Sequence, residues 1–428
     1  MRVYFHTFGC KANQYDTEFV RQALEAAGAT TVVSPEHADA AVVNSCTVTH
    51  VGEGKMRGLV RRLQRVKPDI NTVVMGCAAA VDEGVIAALP GVTDVIAGAN
   101  ADGVLNALGL STVVDPILRT FGKGSRAWLK IQDGCDEHCT FCATTIARGA
   151  HRSRAADDIV EEALLLAERH HELVITGVHI GSYGNELEGV SLGKLVVRLV
   201  RDVPNVRFRL SSLEATEVED VLIELMASEP HRLAPHLHAP LQSGSDRVLK
   251  RMGRHWYTAQ TYRERCEQMA GTLRTFGLGA DVMVGFPGET DADHAATLQL
   301  IRDLPYTYLH VFPYSERPNT AALRLGVAVP PDVVSVRAKE LRDLAARRGA
   351  EYRLRQHGRV ADVVVLDRRR GKYRGLTEDY LDVAVCANQH VAARFQGYLT
   401  HGPNRTLRAD AADCERQHQD LRREQTLV

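Results

Sequence analysis

The loop Cys135-Asp-Glu-His-Cys139-Thr-Phe-Cys142 places three thiols at C-x3-C-x2-C spacing, with an aromatic, Phe141, just before the last. Three thiolates this close repel one another unless a cation neutralises them, and the aromatic suits a packed, water-poor loop around a cluster. An iron–sulfur cluster ordinarily takes four cysteines. A loop that offers three leaves one iron open to a ligand that is not protein. The other readings are a zinc site or three buried thiols; zinc usually draws on paired C-x2-C units, and no second pair occurs here.

A second set of thiols emerges from the elements that precede them. Residues 3–5, 40–43 and 72–75 read as short apolar strands, each running directly into a cysteine: Cys10, Cys46 and Cys77. A helical pattern follows each strand: Phe19, Val20, Ala23, Leu24 and Ala27; then Val60 and Leu63; then Val85, Ile86 and Leu89. Gly28 suits the end of the first helix. Alternating strands and helices predict a doubly wound parallel sheet, whose ligands gather outside the carboxyl ends of the strands. Three cysteines far apart in sequence would then share one rim, unless they are merely small buried side chains.

From residue 127 the alternation repeats six times, with strands expected at 127–131, 172–176, 206–211, 236–239, 278–284 and 308–312 and helices between them at 157–168 and 218–226. This predicts a partial (β/α)6 barrel with chemistry at the carboxyl ends of its strands; the 135–142 loop follows the first of them. A domain boundary is expected near 101–125, at Gly122-Lys-Gly124-Ser125. A long basic helix over 334–355 leads to short strands at 359–366, 380–386 and 392–398, joined by the basic turn Arg368–Arg374, which suggest a small barrel. The domains expected are therefore 1–110, 121–355 and 356–410, with a charged, disordered tail over 411–428.

Composition bounds the class. With 428 residues, 45% hydrophobic and 25% charged, the chain is that of a soluble globular protein of two or three domains. No apolar run is long enough to span a bilayer, and the start reads as a strand and not as a signal peptide. Nine scattered cysteines argue against a secreted disulfide framework and for a reducing cytosol; Cys266, Cys386 and Cys414 belong to no motif. A net charge of −1 implies no polyanion partner, so any nucleic-acid surface must be local. Lys55, Arg57, Arg61, Arg62, Arg65 and Lys67 form such a patch, or simply a solvated helix face.

The three-cysteine loop resembles the cluster loop of radical S-adenosylmethionine (SAM) enzymes, in which the amino and carboxylate groups of SAM chelate the open iron. Gly9-Cys-Lys-Ala-Asn-Gln-Tyr-Asp-Thr-Glu18, Asn44-Ser-Cys46 and Met75-Gly-Cys77 resemble the three cysteine segments of the methylthiotransferase family. The version with Lys11 and Gln14-Tyr15-Asp16 is most similar to the branch acting on tRNA N6-threonylcarbamoyladenosine. Asn13 also has a plain reading as a helix N-cap.

The resemblance implies two 4Fe–4S clusters, one on Cys135, Cys139 and Cys142 and one on Cys10, Cys46 and Cys77, with SAM as cofactor. It carries over Gly177 in Ile175–Gly184 for the SAM amino group and Glu214 for SAM hydroxyls or amine. It places Gln242 and Ser243 facing the active site, and Gly285 in the stretch lining the adenine. Ser245 and Asp246 have a capping role as the alternative, and Glu214 that of a helix N-terminal acid. Arg148, Arg152 and Arg154 are candidates for a carboxylate or RNA phosphate, or for structural ion pairs. Thr145 stands where relatives often have proline, and Asn319 where they often have glycine. The last domain resembles the RNA-binding TRAM β-barrel.

The implied function is methylthiolation of carbon 2 of threonylcarbamoyladenosine beside the anticodon. A radical derived from SAM removes the hydrogen, and sulfur held at the second cluster is methylated and transferred. The implied partners are the tRNA anticodon arm, an electron-donor protein and a sulfur source, in the cytoplasm. Isopentenyladenosine or a ribosomal protein as substrate, or a non-catalytic metal-containing RNA-binding protein, are the alternatives.

Overall fold

The structure, a computed structural model, describes residues 1–47, 50–369, 372–386, 391–402 and 407–410. The centre of the expected basic turn, the segment after 410 and with it Cys414 lie outside the described residues.

The N-terminal sheet has five parallel strands in the order Thr30–Val32, Arg2–Thr7, Ala40–Ser45, Asn71–Gly76, Val92–Ala97. Ala40–Ser45 is buried throughout because both its faces are covered. Ala40 and Val42 pack with Val20 and Leu24 of helix Lys11–Ala26 and with Val104 and Leu105 of helix Ala101–Ala107. Ala41 and Val43 pack with Met56, Val60 and Leu63 of helix His50–Val66. The strand order reverses between Arg2–Thr7 and Ala40–Ser45, and doubly wound sheets open a crevice at such a switch point. Gly28, at φ +87°, ends the first helix, with Ala29 N–H closing back onto Leu24 O at 2.9 Å.

Three expectations need correction here. Thr30–Val32 and Val92–Ala97 are additional edge strands, too short or too exposed to carry an apolar signature. No helix forms over 85–89: only Cys77–Ala80 is helical, and the chain then turns. Asp82 captures the Ile86 and Ala87 N–H groups, Gly84 takes φ +94°, and Pro90 follows at once, leaving no length to propagate a helix.

The central domain has six parallel strands: Arg126–Lys130, Glu172–Thr176, Arg207–Leu210, His236–His238, Gly277–Val284 and Tyr306–Pro313. They form two three-stranded sheets, joined by the bridges Phe208–Leu233 and Ser212–His238 into one partial barrel. Outward residues of these strands and inward residues of the helices build the largest core. Helix Leu192–Asp202 shows why: Leu192, Leu195, Val196 and Leu199 recur on one face, and the Ser191 side chain accepts from Lys194 N–H.

Helix Pro331–Arg355 leads to a closed barrel of Val360–Arg369, Lys372–Thr377, Asp382–Cys386, Arg394–His401 and Leu407–Asp410. Two of these strands exceed the sequence expectation: Lys372–Thr377 falls within the basic turn and the motif after it, and Leu407–Asp410 is very short. The closed barrel is anchored through two fully buried arginines. Arg207 donates to Asp362 O at 2.7 Å; Arg209 donates to Glu378 O and Thr377 O, each at 2.9 Å. Both also grip Glu172 inside the partial barrel. No helix among the described residues is long and apolar enough to cross a membrane.

Candidate active site

The first cysteine set sits on the sheet rim. Cys10 is the N-cap residue of helix Lys11–Ala26, Cys46 follows strand Ala40–Ser45, and Cys77 opens helix Cys77–Ala80. Gly9 takes φ +106°; a Cβ there would come within 3.2 Å of Cys46 Sγ. Glycine is therefore required twice over, for the turn and for the approach of the first cysteine to the second. Asn13 is not a cap. From inside the helix its amide donates to Phe8 O, Ser45 O and Asn44 Oδ1, tying two cysteine-bearing loops together. Its Oδ1 lies 3.8 Å from Cys10 Sγ and 3.6 Å from Cys77 Sγ.

The second set lies in the loop after barrel strand Arg126–Lys130. His179 Nδ1 is 3.9 Å from Cys135 Sγ, Arg254 donates to Cys139 Sγ at 3.5 Å, and Thr144 N–H donates to Cys142 Sγ at 3.3 Å. Phe141 meets Phe286 edge-on at 6.4 Å, and Phe286 meets Tyr314 likewise at 5.5 Å. The aromatic of the loop thus closes onto the segment that contains Gly285.

Burial pushes the Cys77 thiol up to about 11, against the pull of Arg148. It pushes Cys139 up to about 12, against Arg254 and aided by Cys142, Glu214 and Cys135. Such sulfurs become thiolates when a cationic centre compensates them. Among the described residues, neither triad brings its three sulfurs within 4.8 Å of one another. A single tetrahedral zinc, with Zn–S about 2.3 Å, would hold them closer than that. Three soft thiolate donors without a fourth among the described residues suit an iron–sulfur centre with one open iron.

The two triads share one neighbourhood. Arg148, in helix Thr144–Arg148 just beyond Cys142, donates to Cys77 Sγ at 3.2 Å, to Asn13 Oδ1 at 2.7 Å and to Asp16 and Asp133 at 2.8 and 2.9 Å. Arg154 pairs with Glu162, and Arg152 caps backbone carbonyls of its own turn. Arg148 and Arg154 are thus held in ion pairs in the described fold, whereas exposed Arg152 donates to backbone carbonyls. Cys10 and Cys46 open into a cavity of about 480 Å³ that continues into the barrel interior, to Arg209, Ser211, His238, Asp281 and Tyr308. Tyr380, from the closed barrel, stacks on His236 at 4.3 Å and forms the opposite wall.

The remaining sequence candidates fall at strand ends. Gly177 follows Glu172–Thr176; a Cβ there would lie 2.8 Å from Gln132 Oε1. That oxygen accepts from Val178 and His179 N–H, while the Gln132 amide donates to Gly134 O, so one buried glutamine braces both the Gly177 loop and the cysteine loop. Glu214 is almost fully buried, and its two oxygens accept from Arg254 and Trp256; burial pushes its carboxyl up, against Arg254. Gln242 is held at φ +61° with its Oε1 buried and without a hydrogen-bond partner. A left-handed non-glycine residue costs about 1–2 kcal/mol, and an orphaned buried acceptor costs more; together they mark a place for an incoming donor. Ser243 turns away to Thr297, and Ser245 caps helix Asp246–Arg251, so of that segment only Gln242 has a free polar end. Gly285, at φ +73°, donates its N–H to Glu289, and a Cβ would strike Val334 at 2.4 Å. Asn319 takes φ +63°, a region that asparagine tolerates better than most side chains.

Arg254, Trp256, His179 and Gln132 carried no local spacing signal. The one clue was that Trp256 is one of only two tryptophans in the chain.

The chain is similar to several known proteins. Residues 2–98 match the family model "Uncharacterized protein family UPF0004", and residues 129–301 match the Radical SAM superfamily. A threonylcarbamoyladenosine tRNA methylthiotransferase of Bacillus subtilis is 34% identical over 89% of this chain and 89% of its own length. That of Aquifex aeolicus is 33% identical over 90% and 96%. A tRNA-2-methylthio-N(6)-dimethylallyladenosine synthase of Acidothermus cellulolyticus is 33% identical over 84% and 76%. Among solved structures, the radical S-adenosylmethionine methyltransferase TsrM of Kitasatospora setae superposes with a TM-score of 0.56 at 14% identity, over 75% of this chain and 76% of its own. That likeness concerns the fold.

Proposed function

Because the chain belongs to the radical SAM methylthiotransferase family, we propose that it transfers a methylthio group to carbon 2 of N6-threonylcarbamoyladenosine next to the anticodon of tRNA. In this reading Cys135, Cys139 and Cys142 hold one 4Fe–4S cluster and Cys10, Cys46 and Cys77 a second, each with an open iron. SAM and the clusters, when bound, supply the radical and sulfur chemistry that an unactivated aromatic C–H requires and that acid–base groups do not. The observation that carries the reading is a juxtaposition: Cys10 and Cys46 open onto barrel residues Ser211, His238 and Asp281, and Arg148, six residues beyond Cys142, reaches Cys77.

The protein's own residues then have defined tasks. Gln132 fixes the backbone after Gly177, and the orphaned Gln242 Oε1 awaits a donor from SAM. Arg254 spans Glu214 and Cys139, so the acid that meets SAM and the thiol that meets iron move as one unit. Phe141, Phe286 and Tyr314 exclude water from the loop. Lys55, Arg61, Arg62 and Arg65 are exposed on helix His50–Val66 and are placed to meet phosphates while the base leaves its stack. An electron-donor protein and a sulfur source complete the balance.

Nucleoside mass spectrometry of tRNA from a deletion strain tests the proposal: 2-methylthio-N6-threonylcarbamoyladenosine should vanish and its precursor accumulate. Loss of the dimethylallyl derivative instead would favour the second reading, which relatives such as the Acidothermus enzyme support.

A further inference from the structure

Lys11 lies beside Cys10 and lines the same cavity as Cys46, Arg209, His238, Asp281 and His310. It is half-buried, yet among the described residues no carboxylate comes within 4.0 Å of its ammonium and no hydrogen bond reaches its side chain. The arginines and the other lysine of this region are paired with carboxylates. Arg209 grips Glu172. His238 and His310 share Asp281, each at 3.2 Å. Lys130 pairs with Asp16 and Asp133, and so does Arg148. Among the described residues, this ammonium therefore faces the space between the Cys10 rim and the barrel with no carboxylate within 4.0 Å, and Asp281 of the same cavity attracts it only from farther off. Desolvating an unpaired cation is costly, and an anion brought in from outside would relieve that cost.

The substrate can bring one. In adenine, carbon 2 and carbon 6 flank N1, so a substituent on N6 emerges on the same ring edge that carries carbon 2. A base that offers carbon 2 to the centre at Cys10, Cys46 and Cys77 must lay its N6 substituent along the neighbouring wall. In threonylcarbamoyladenosine that substituent ends in a carboxylate; in dimethylallyladenosine it is hydrocarbon. Resting on the function proposed above, we infer that Lys11 binds the threonyl carboxylate and is the residue that selects the charged substrate over the uncharged one.

The test compares two anticodon stem-loop RNAs bound to the full-length reconstituted protein. One carries threonylcarbamoyladenosine, the other the same nucleoside with its carboxylate converted to a neutral methylamide. Pairing of a desolvated charge is worth on the order of 30-fold or more, so the wild-type protein should prefer the acid by that factor. K11M should bring the two affinities within about threefold, and K11R should retain part of the preference. Because each ratio is taken within one protein, general loss of phosphate attraction cancels. Equal wild-type affinity for acid and amide, or an undiminished preference in K11M, overturns the assignment; should K11M not fold, the wild-type comparison alone decides. Mass spectrometry of threonylcarbamoyl-tRNA treated with the wild-type enzyme separates the two readings. Product without acid–amide discrimination sinks only the role of Lys11, whereas no product sinks the parent proposal.

Discussion

Arg148 Nε donates to Cys77 Sγ at 3.2 Å although 71 residues separate them in sequence. The same guanidinium reaches Asp16 from the N-terminal domain and Asp133 from the loop that opens the other cysteine set. One side chain thereby couples the two halves of the site, and its replacement is informative. Arg148→Met leaves Asp133 and Asp16 sharing Lys130 alone, with Asn13 Oδ1 left to the Cys10 and Cys77 sulfurs. The variant should lose about 3–5 kcal/mol of stability, the usual cost of breaking a buried charge pair, read as a lower midpoint in denaturant.

Iron content separates the two triads. The reconstituted wild-type protein should carry about eight irons per chain, and alanine at any one of the six cysteines about four. Methylthiolation should be abolished in all six variants. A Cys10→Ala protein with full product formation would remove the second cluster from the mechanism.

Gln242 joins a backbone conformation that disfavours side chains to a buried acceptor without a partner. Gln242→Gly relieves the first and deletes the second at the cost of glycine's chain entropy, so thermal stability should change by less than about 1 kcal/mol. SAM binding, measured by calorimetry on the reconstituted protein, should nevertheless weaken. A stability loss with unchanged SAM affinity would make Gln242 a structural residue.

Glu172 is wholly buried among Arg209, Arg207 and Arg126. Burial alone would raise its carboxyl, but the three arginines hold it well below the usual range. A depressed folded pKa contributes stability above the unfolded value near 4.5, and that contribution is lost as pH falls below it. The melting temperature of the wild-type protein should therefore drop on acidification from about pH 5 to pH 3, the carboxylate range. Glu172→Gln should start lower and follow a flatter profile, since it leaves the arginines uncompensated at every pH.

Helix His50–Val66 offers a test of the RNA surface. Arg57 leans on Glu53, and Lys67 on Asp69, whereas Arg61, Arg62 and Arg65 are exposed. Replacing those three by glutamine should weaken tRNA binding and lower the log–log salt slope by about 0.7–0.9 for each phosphate no longer neutralised. An unchanged slope would move the RNA elsewhere.

What the sequence alone determined was whatever depends on near neighbours. The C-x3-C-x2-C spacing, the apolar runs that end in Cys10, Cys46 and Cys77, and the six strand–helix alternations of the barrel were all readable, because period and proximity are local properties of the chain. Short strands such as Thr30–Val32 and Leu407–Asp410 were not, since their pairing and not their composition defines them. The 85–89 stretch misled because a helical pattern needs length as well as period. Only the tertiary structure decided that Asn13 braces two loops instead of capping a helix, that Arg254 joins Glu214 to Cys139, and that Arg207 and Arg209 anchor a barrel from more than 150 residues away in sequence. Such contacts rest on hydrogen-bond and charge satisfaction between groups that folding brings together and desolvates, and nothing in the order of residues marks the partner beforehand.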